Sequence, residues 1–156
     1  MVLRELTALR GVSGNEAAVR DYILERIRPL ADVRIDRMGN LIAHKKGTEG
    51  ARHVVLCAHM DEVGLMVTGI DDKGYLTYDT CGGIDPRVIV SKRVLVGEKA
   101  VPGVIGAKPI HLQSRSEFES VMKHDSLVID IGAKDRADAL SMVALGYVAV
   151  YAPDAF

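Results

Sequence analysis

The residues that promise chemistry are His59, Asp61 and Glu62, which close the run His53-Val54-Val55-Leu56-Cys57-Ala58-His59-Met60-Asp61-Glu62-Val63-Gly64. An imidazole two residues from a carboxylate suits a metal site, because a ligating histidine uses one ring nitrogen for the metal and gives its other N–H to an orienting carboxylate. On that reading His59 is the ligand and Asp61 supports it. The same residues also serve as polar caps at a strand end, and spacing alone leaves both readings open. Glu62 is a candidate general base, or it faces away, since neighbouring strand residues alternate sides.

These side chains need elements to hold them. The β-branched, apolar stretch 54–58 predicts a buried strand with its polar residues at the C-terminal end, where open α/β sheets place their chemistry. In a strand, His59 and Asp61 share a face. Upstream, the spacing of Leu3, Leu6 and Leu9 predicts a short helix stopped at Gly11. Ser13 and Glu16 stand three apart, the pattern of a capping box in which the hydroxyl takes the N–H of Glu16 and the carboxylate reaches back. A second helix is then expected over 15–28, with Val19, Tyr22, Ile23 and Ile27 buried and Pro29 ending it. Val33, Ile35, the Gly39-Asn40 turn and the run 41–43 predict a hairpin.

Past Gly64 the texture changes. Short β-rich runs at 65–70, 75–78, 88–91, 94–96, 101–105, 127–131 and 147–151 lie close together and predict a compact barrel or sandwich. Asp71-Asp72-Lys73-Gly74 and Asp85-Pro86 read as turns between them. One or two helical turns are expected at 116–123. A fuller helix is expected at 134–145, with Ala137, Leu140 and Val143 as its buried stripe and Gly146 as its stop.

With 20 basic and 21 acidic residues, two Phe, five Tyr and no Trp, the chain carries no basic surface with stacking aromatics, so nucleic acid is not an expected partner. Its 48% hydrophobic and 26% charged content fits a globular protein and not a disordered one. No stretch is long and apolar enough to span a membrane, and the charged start lacks the apolar core of an export signal, so a cytoplasmic location is expected. Cys57 and Cys81 are then expected as free thiols. No nucleophile elbow, phosphate loop or Cys-x-x-Cys occurs, which removes serine-hydrolase, nucleotide-binding and zinc-ribbon readings. His44, His53, His111 and His124 are expected to be structural or solvated.

Five stretches together resemble the M42 family of dinuclear-metal aminopeptidases, the glutamyl and tetrahedral aminopeptidase group also labelled endoglucanase M. They are Gly11-Val12-Ser13-Gly14-Asn15-Glu16, Asp36-Arg37-Met38-Gly39-Asn40-Leu41-Ile42-Ala43, Ala58-His59-Met60-Asp61-Glu62-Val63-Gly64, Gly103-Val104-Ile105-Gly106-Ala107-Lys108-Pro109-Ile110-His111-Leu112 and Asp130-Ile131-Gly132-Ala133. The resemblance implies the N-terminal part of an α/β dinuclear-zinc-peptidase domain at 1–66, followed by a β-rich, PDZ-like or barrel insert at 67–156 that serves dimerisation. It also implies that His59 ligates one of two divalent metals, zinc or cobalt, with Asp61 as its catalytic support.

In that family a bridging aspartate, a pair of glutamates, a further carboxylate and a distal histidine follow the insert. Only the first ligand and its support therefore fall within this chain. Near Gly146 the family carries Gly-Asp, where this sequence has Gly146-Tyr147. Two functions follow. One is a metal-dependent aminopeptidase that removes N-terminal residues from peptides and is completed by segments outside this chain or on a second polypeptide. The other is a non-catalytic dimerisation module. A homo-oligomer formed through the insert is expected in either case, as is self-association through an uncovered strand at 54–58. The endoglucanase label finds no support, because nothing positions two facing carboxylates.

Overall fold

The computed structural model describes residues 2–50 and 52–153. They divide into two compact units, one within Met1–Glu62 and one within Val63–Phe156.

The first unit carries two helices, α1 (Val2–Thr7) and α2 (Ala17–Ile27), and a hairpin of β1 (Asp32–Ile35) and β2 (Leu41–His44). Helix α1 buries none of its residues. It is tied to α2 by polar contacts: Glu5 accepts from the Tyr22 hydroxyl at 2.5 Å and from Arg26 at 2.6 Å, and the Arg26 guanidinium lies 3.5 Å from the Tyr22 ring centroid. On α2 only Val19 is buried, while Tyr22, Ile23 and Ile27 are half-exposed. The hairpin is antiparallel in the register Asp32↔His44 to Ile35↔Leu41, as its turn signal predicts.

Besides the buried face of α2, two further expectations fail in this unit. The stretch 54–58 is not a strand, and its apolar residues face solvent: Val54 and Val55 are 80% exposed and Leu56 is 94% exposed. A buried strand exists only where neighbours pair its backbone and cover its faces, and among the described residues no strand pairs with it. The capping box at Ser13 and Glu16 also does not form. Helix α2 starts after Glu16 with no side-chain cap, and the Ser13 hydroxyl is engaged elsewhere.

The second unit is a closed antiparallel barrel. Its strands are β3 (Gly64–Ile70), β4 (Leu76–Cys81), β5 (Arg93–Val96), β6 (Val101–Ala107), β7 (Leu127–Asp130) and β8 (Val148–Tyr151), in the order β3-β4-β7-β6-β5-β8. The barrel closes because β8 pairs with both β3 and β5, leaving no free edge. Leu65, Leu76, Val96, Ile105, Leu127 and Ile129 are among the fully buried side chains at its centre. Because β3 begins at Gly64, a boundary between 66 and 67 would cut this strand; the units part between Glu62 and Val63.

Among the described residues three short α-helices interrupt the barrel, besides 3-10 turns at Ile110–Leu112 and His124–Ser126. The run expected as a strand at 88–91 is instead helix α3 (Pro86–Ile89). Asp85 accepts the N–H of Arg87 and Pro86 takes the first helical position, so the Asp-Pro pair read as a turn is a helix start. Helix α4 (Arg115–Glu119) begins with a complete capping box between Ser114 and Glu117. Helix α5 (Arg136–Met142) is capped by Asp135. Its buried positions are Ala139 and the following Val143, whereas Ala137 is exposed and Leu140 is 51% exposed, so the buried stripe is rotated from the expected one. Among the described residues no helix is long and apolar enough to cross a membrane.

Candidate metal site

The site is assembled by docking the loop before α2 onto the segment that follows the exposed run. Val12 and Glu62 form an isolated parallel bridge. The Glu62 N–H donates to the Gly11 carbonyl at 2.7 Å, and the Gly11 N–H donates to Glu62 Oε1 at 3.2 Å. Val12 is buried beneath this contact. Gly11 permits the close approach, since a Cβ there would stand 2.7 Å from Val19 Cγ2. Glu62, a candidate base by sequence, thus has one carboxylate oxygen engaged by the backbone N–H of Gly11.

This docking brings Ser13 against Asp61 and leaves Asp61 between two partners. Its Oδ2 accepts the Ser13 hydroxyl, and its Oδ1 lies 2.9 Å from His59 Nδ1. The Ser13 hydroxyl and then His59 hold the Asp61 carboxyl below its ordinary value, so it is an ionised acceptor at neutral pH. A carboxylate can only accept, so His59 Nδ1 carries the proton; the Asp61 carbonyl, 3.0 Å away, shares it. In the neutral ring Nε2 is then the nitrogen with a free lone pair, the form in which imidazole ligates a metal. The His59 side chain is 85% exposed and that of Asp61 is 38% exposed.

As a single ligand with its carboxylate support the pair fits a metal. It does not make a complete shell: among the described residues no group of three or more His, Cys, Asp or Glu stands close enough to share an ion. The predicted pair is therefore brought together, but not by the strand that was expected to do so. The role of Ser13 was missed because its spacing to Glu16 matched a more common use of serine.

His124 has partners within its own unit. In the barrel, His124 Nε2 donates to the Ile84 carbonyl at 2.9 Å, which leaves Nδ1 to accept from the Tyr78 hydroxyl at 3.3 Å. Burial pushes the Tyr78 hydroxyl up to about 12, keeping it a donor. Cys57 is exposed and Cys81 half-buried, and both are free thiols.

An α/β segment bearing an oriented imidazole, followed in the chain by a closed antiparallel barrel, has clear relatives. The chain belongs to the M42 glutamyl aminopeptidase family, whose sequence profile matches residues 39–156. The lysyl aminopeptidase of Pyrococcus furiosus is 35% identical over 161 residues, covering 98% of this chain and 45% of that protein. Among solved structures, a TET aminopeptidase from a marine sediment archaeon of the Thaumarchaeota superposes with a TM-score of 0.88 at 33% identity, covering 96% of this chain and 43% of that one. The TET1 peptidase of Pyrococcus horikoshii, described as assembling into a tetrahedron or a large octahedral shell, is 42% identical with a TM-score of 0.82 over 96% of this chain and 45% of its own. The chain thus spans less than half the length of the relatives it matches.

Proposed function

We propose that this chain contributes one arm of a divalent-metal aminopeptidase site, with His59 as the ligand through Nε2 and Asp61 as the residue that orients it. The observation that carries the reading is the Asp61–His59 hydrogen bond, which leaves the ligating nitrogen bare. Zinc or cobalt ions, two in the complete site, would supply the Lewis acidity that activates a water and polarises the scissile carbonyl of a peptide's N-terminal residue. Asp61 holds the imidazole in the ligating tautomer, and the Gly11–Glu62 contacts fix the segment that carries both. The remaining ligands and the general base come from polypeptide beyond these residues, continuous with it or on a second chain.

Further parts of the proposal concern assembly and setting. The unit within Met1–Glu62 belongs to the catalytic domain, and the barrel is the insert through which copies associate. Ile110, Leu112, Phe118 and Val121 support this, as they leave an apolar patch on the barrel at 60–72% exposure. A crevice of about 780 Å³ beside α4 shares three of these residues. The two free thiols suit a reducing cytoplasm.

The decisive test is hydrolysis of aminoacyl-anilides with added cobalt or zinc, by this chain alone and together with a polypeptide carrying the missing segments. Activity is expected only on complementation and should be lost in His59→Ala. A second reading, a non-catalytic dimerisation module, draws on the barrel's closed and self-sufficient core. Inactivity even when complemented would favour it.

A further inference from the structure

The backbone around Ser13 is held without help from its side chain. The Val12–Glu62 bridge, the two Gly11–Glu62 hydrogen bonds and the Asn15 N–H donated to the Val12 carbonyl at 2.7 Å fix the loop. The hydroxyl is therefore left for another use. It does not cap α2, whose cap residue is Glu16, and the Glu16 carboxylate accepts from the Gly14 N–H at 2.7 Å instead. The partner of the hydroxyl is Asp61 Oδ2, across 48 residues of sequence.

We propose that Ser13 is a positioning residue for His59. By engaging Oδ2, its hydroxyl fixes the plane of the Asp61 carboxylate so that Oδ1 meets the His59 Nδ1–H and Nε2 is left free for a metal. The proposal rests on the reading of His59 as a ligand. Its physical basis is that a histidine ring in water prefers to carry its proton on Nε2, the form that cannot ligate through that nitrogen. The Nδ1–H form must be selected by an acceptor in a fixed place. Asp61 is partly exposed, and without Ser13 its carboxylate is free to rotate and to be solvated. His59, more exposed still, then has no fixed acceptor except the Asp61 carbonyl.

The test uses the full chain with labelled histidine, long-range proton–nitrogen NMR above the imidazole titration range, and a Co²⁺ titration. In the wild-type protein His59 is expected as the Nδ1–H tautomer. Ser13→Ala should move it towards Nε2–H and weaken Co²⁺ binding about 3- to 10-fold, below the roughly 10- to 100-fold typical when a direct outer partner is lost. Ser13→Thr, which keeps the hydroxyl, should restore both properties. An unchanged tautomer together with an unchanged affinity in Ser13→Ala would overturn the proposal. If His59→Ala binds Co²⁺ as tightly as wild type, the ligand reading fails and the affinity consequence with it. The tautomer measurement then still decides whether Ser13 positions the ring.

Discussion

Leu76 in the barrel is fully buried and Leu56 in the N-terminal unit is 94% exposed, although each sits in a short run of strand-favouring residues. The difference lies in their neighbours. In the barrel every strand finds two partners within the same unit, because β8 returns to pair with β3 and β5. The N-terminal unit offers the run 54–58 no strand to pair with, and Val12 and Val19 are its only buried hydrophobic residues among those described. An apolar run is a request for burial, and only other chain segments can grant it.

The sharpest way to break this comparison is to separate the units. Residues 63–156 alone are expected to unfold in one cooperative thermal transition, whereas 1–62 alone should show none, since a unit of that size with so little buried apolar surface cannot offset the entropy of ordering. A cooperative transition from 1–62 would show that its polar ties suffice. Single substitutions repeat the contrast on a smaller scale. Leu76→Ala should cost about 2–5 kcal/mol by urea denaturation, through lost burial and the cavity left behind. Leu56→Ala should stay within about 0.5 kcal/mol. Replacing Val54, Val55 and Leu56 together with serine should leave stability alone and lower self-association in sedimentation velocity.

How far the sequence could be read follows the same division. The hairpin β1–β2 and the barrel strands were legible because their signals are local: alternation, turn glycines and short spacing; Gly146 was misread as the stop of α5, which ends at Met142. The strand at 54–58 was misread because its pattern is local, whereas a buried strand also needs partners, and none of the described strands pairs with it. Helix α3 was misread because Asp85-Pro86 fits a turn as well as a helix start, and what decides is whether the following residues bury Ile89. The pairing of His59 with Asp61 was anticipated from residue types, but the geometry that achieves it was not. It depends on Ser13 and Gly11, some 50 residues earlier, and no local spacing reports a contact of that kind.

The two units contain one turn built twice, which isolates the effect of surroundings. Asp36 Oδ1 accepts the N–H groups of Met38 and Asn40, each at 2.9 Å, and Asp71 Oδ1 accepts those of Lys73 and Tyr75 at the same distance. Gly39 and Gly74 occupy the same left-handed position, with φ of 85° and 86°. A Cβ on Gly39 meets nothing within 4 Å, while one on Gly74 would stand 2.9 Å from both Ala133 Cβ and the Asp135 carbonyl oxygen. Gly39→Ala should therefore cost only the left-handed penalty, about 1–2 kcal/mol. Gly74→Ala should cost more than Gly39→Ala and should also displace the start of α5, visible as amide shifts at 135–139. Equal costs would mean that the barrel yields at this contact.

The smallest expected effect concerns charge on the barrel surface. The Arg87 guanidinium, with help from the Arg87 backbone N–H, holds Asp85 at about 2. The Ser114 backbone N–H, then Lys108, holds Glu117 at about 2. Both carboxyls are depressed below their unfolded values of about 4, so the stability they contribute is complete above that pH and is lost as pH falls towards about 2. Asp85→Asn keeps a side-chain oxygen to cap α3 but loses the charge facing Arg87. The mutant should be slightly less stable than wild type at pH 7, and its urea midpoint should converge on the wild-type value between pH 4 and pH 2. Because Asp85 and Arg87 are both on the surface, added salt should shrink the gap at pH 7 as well. A gap that stays unchanged from pH 7 to pH 2 would assign the loss to capping geometry and not to the ion pair.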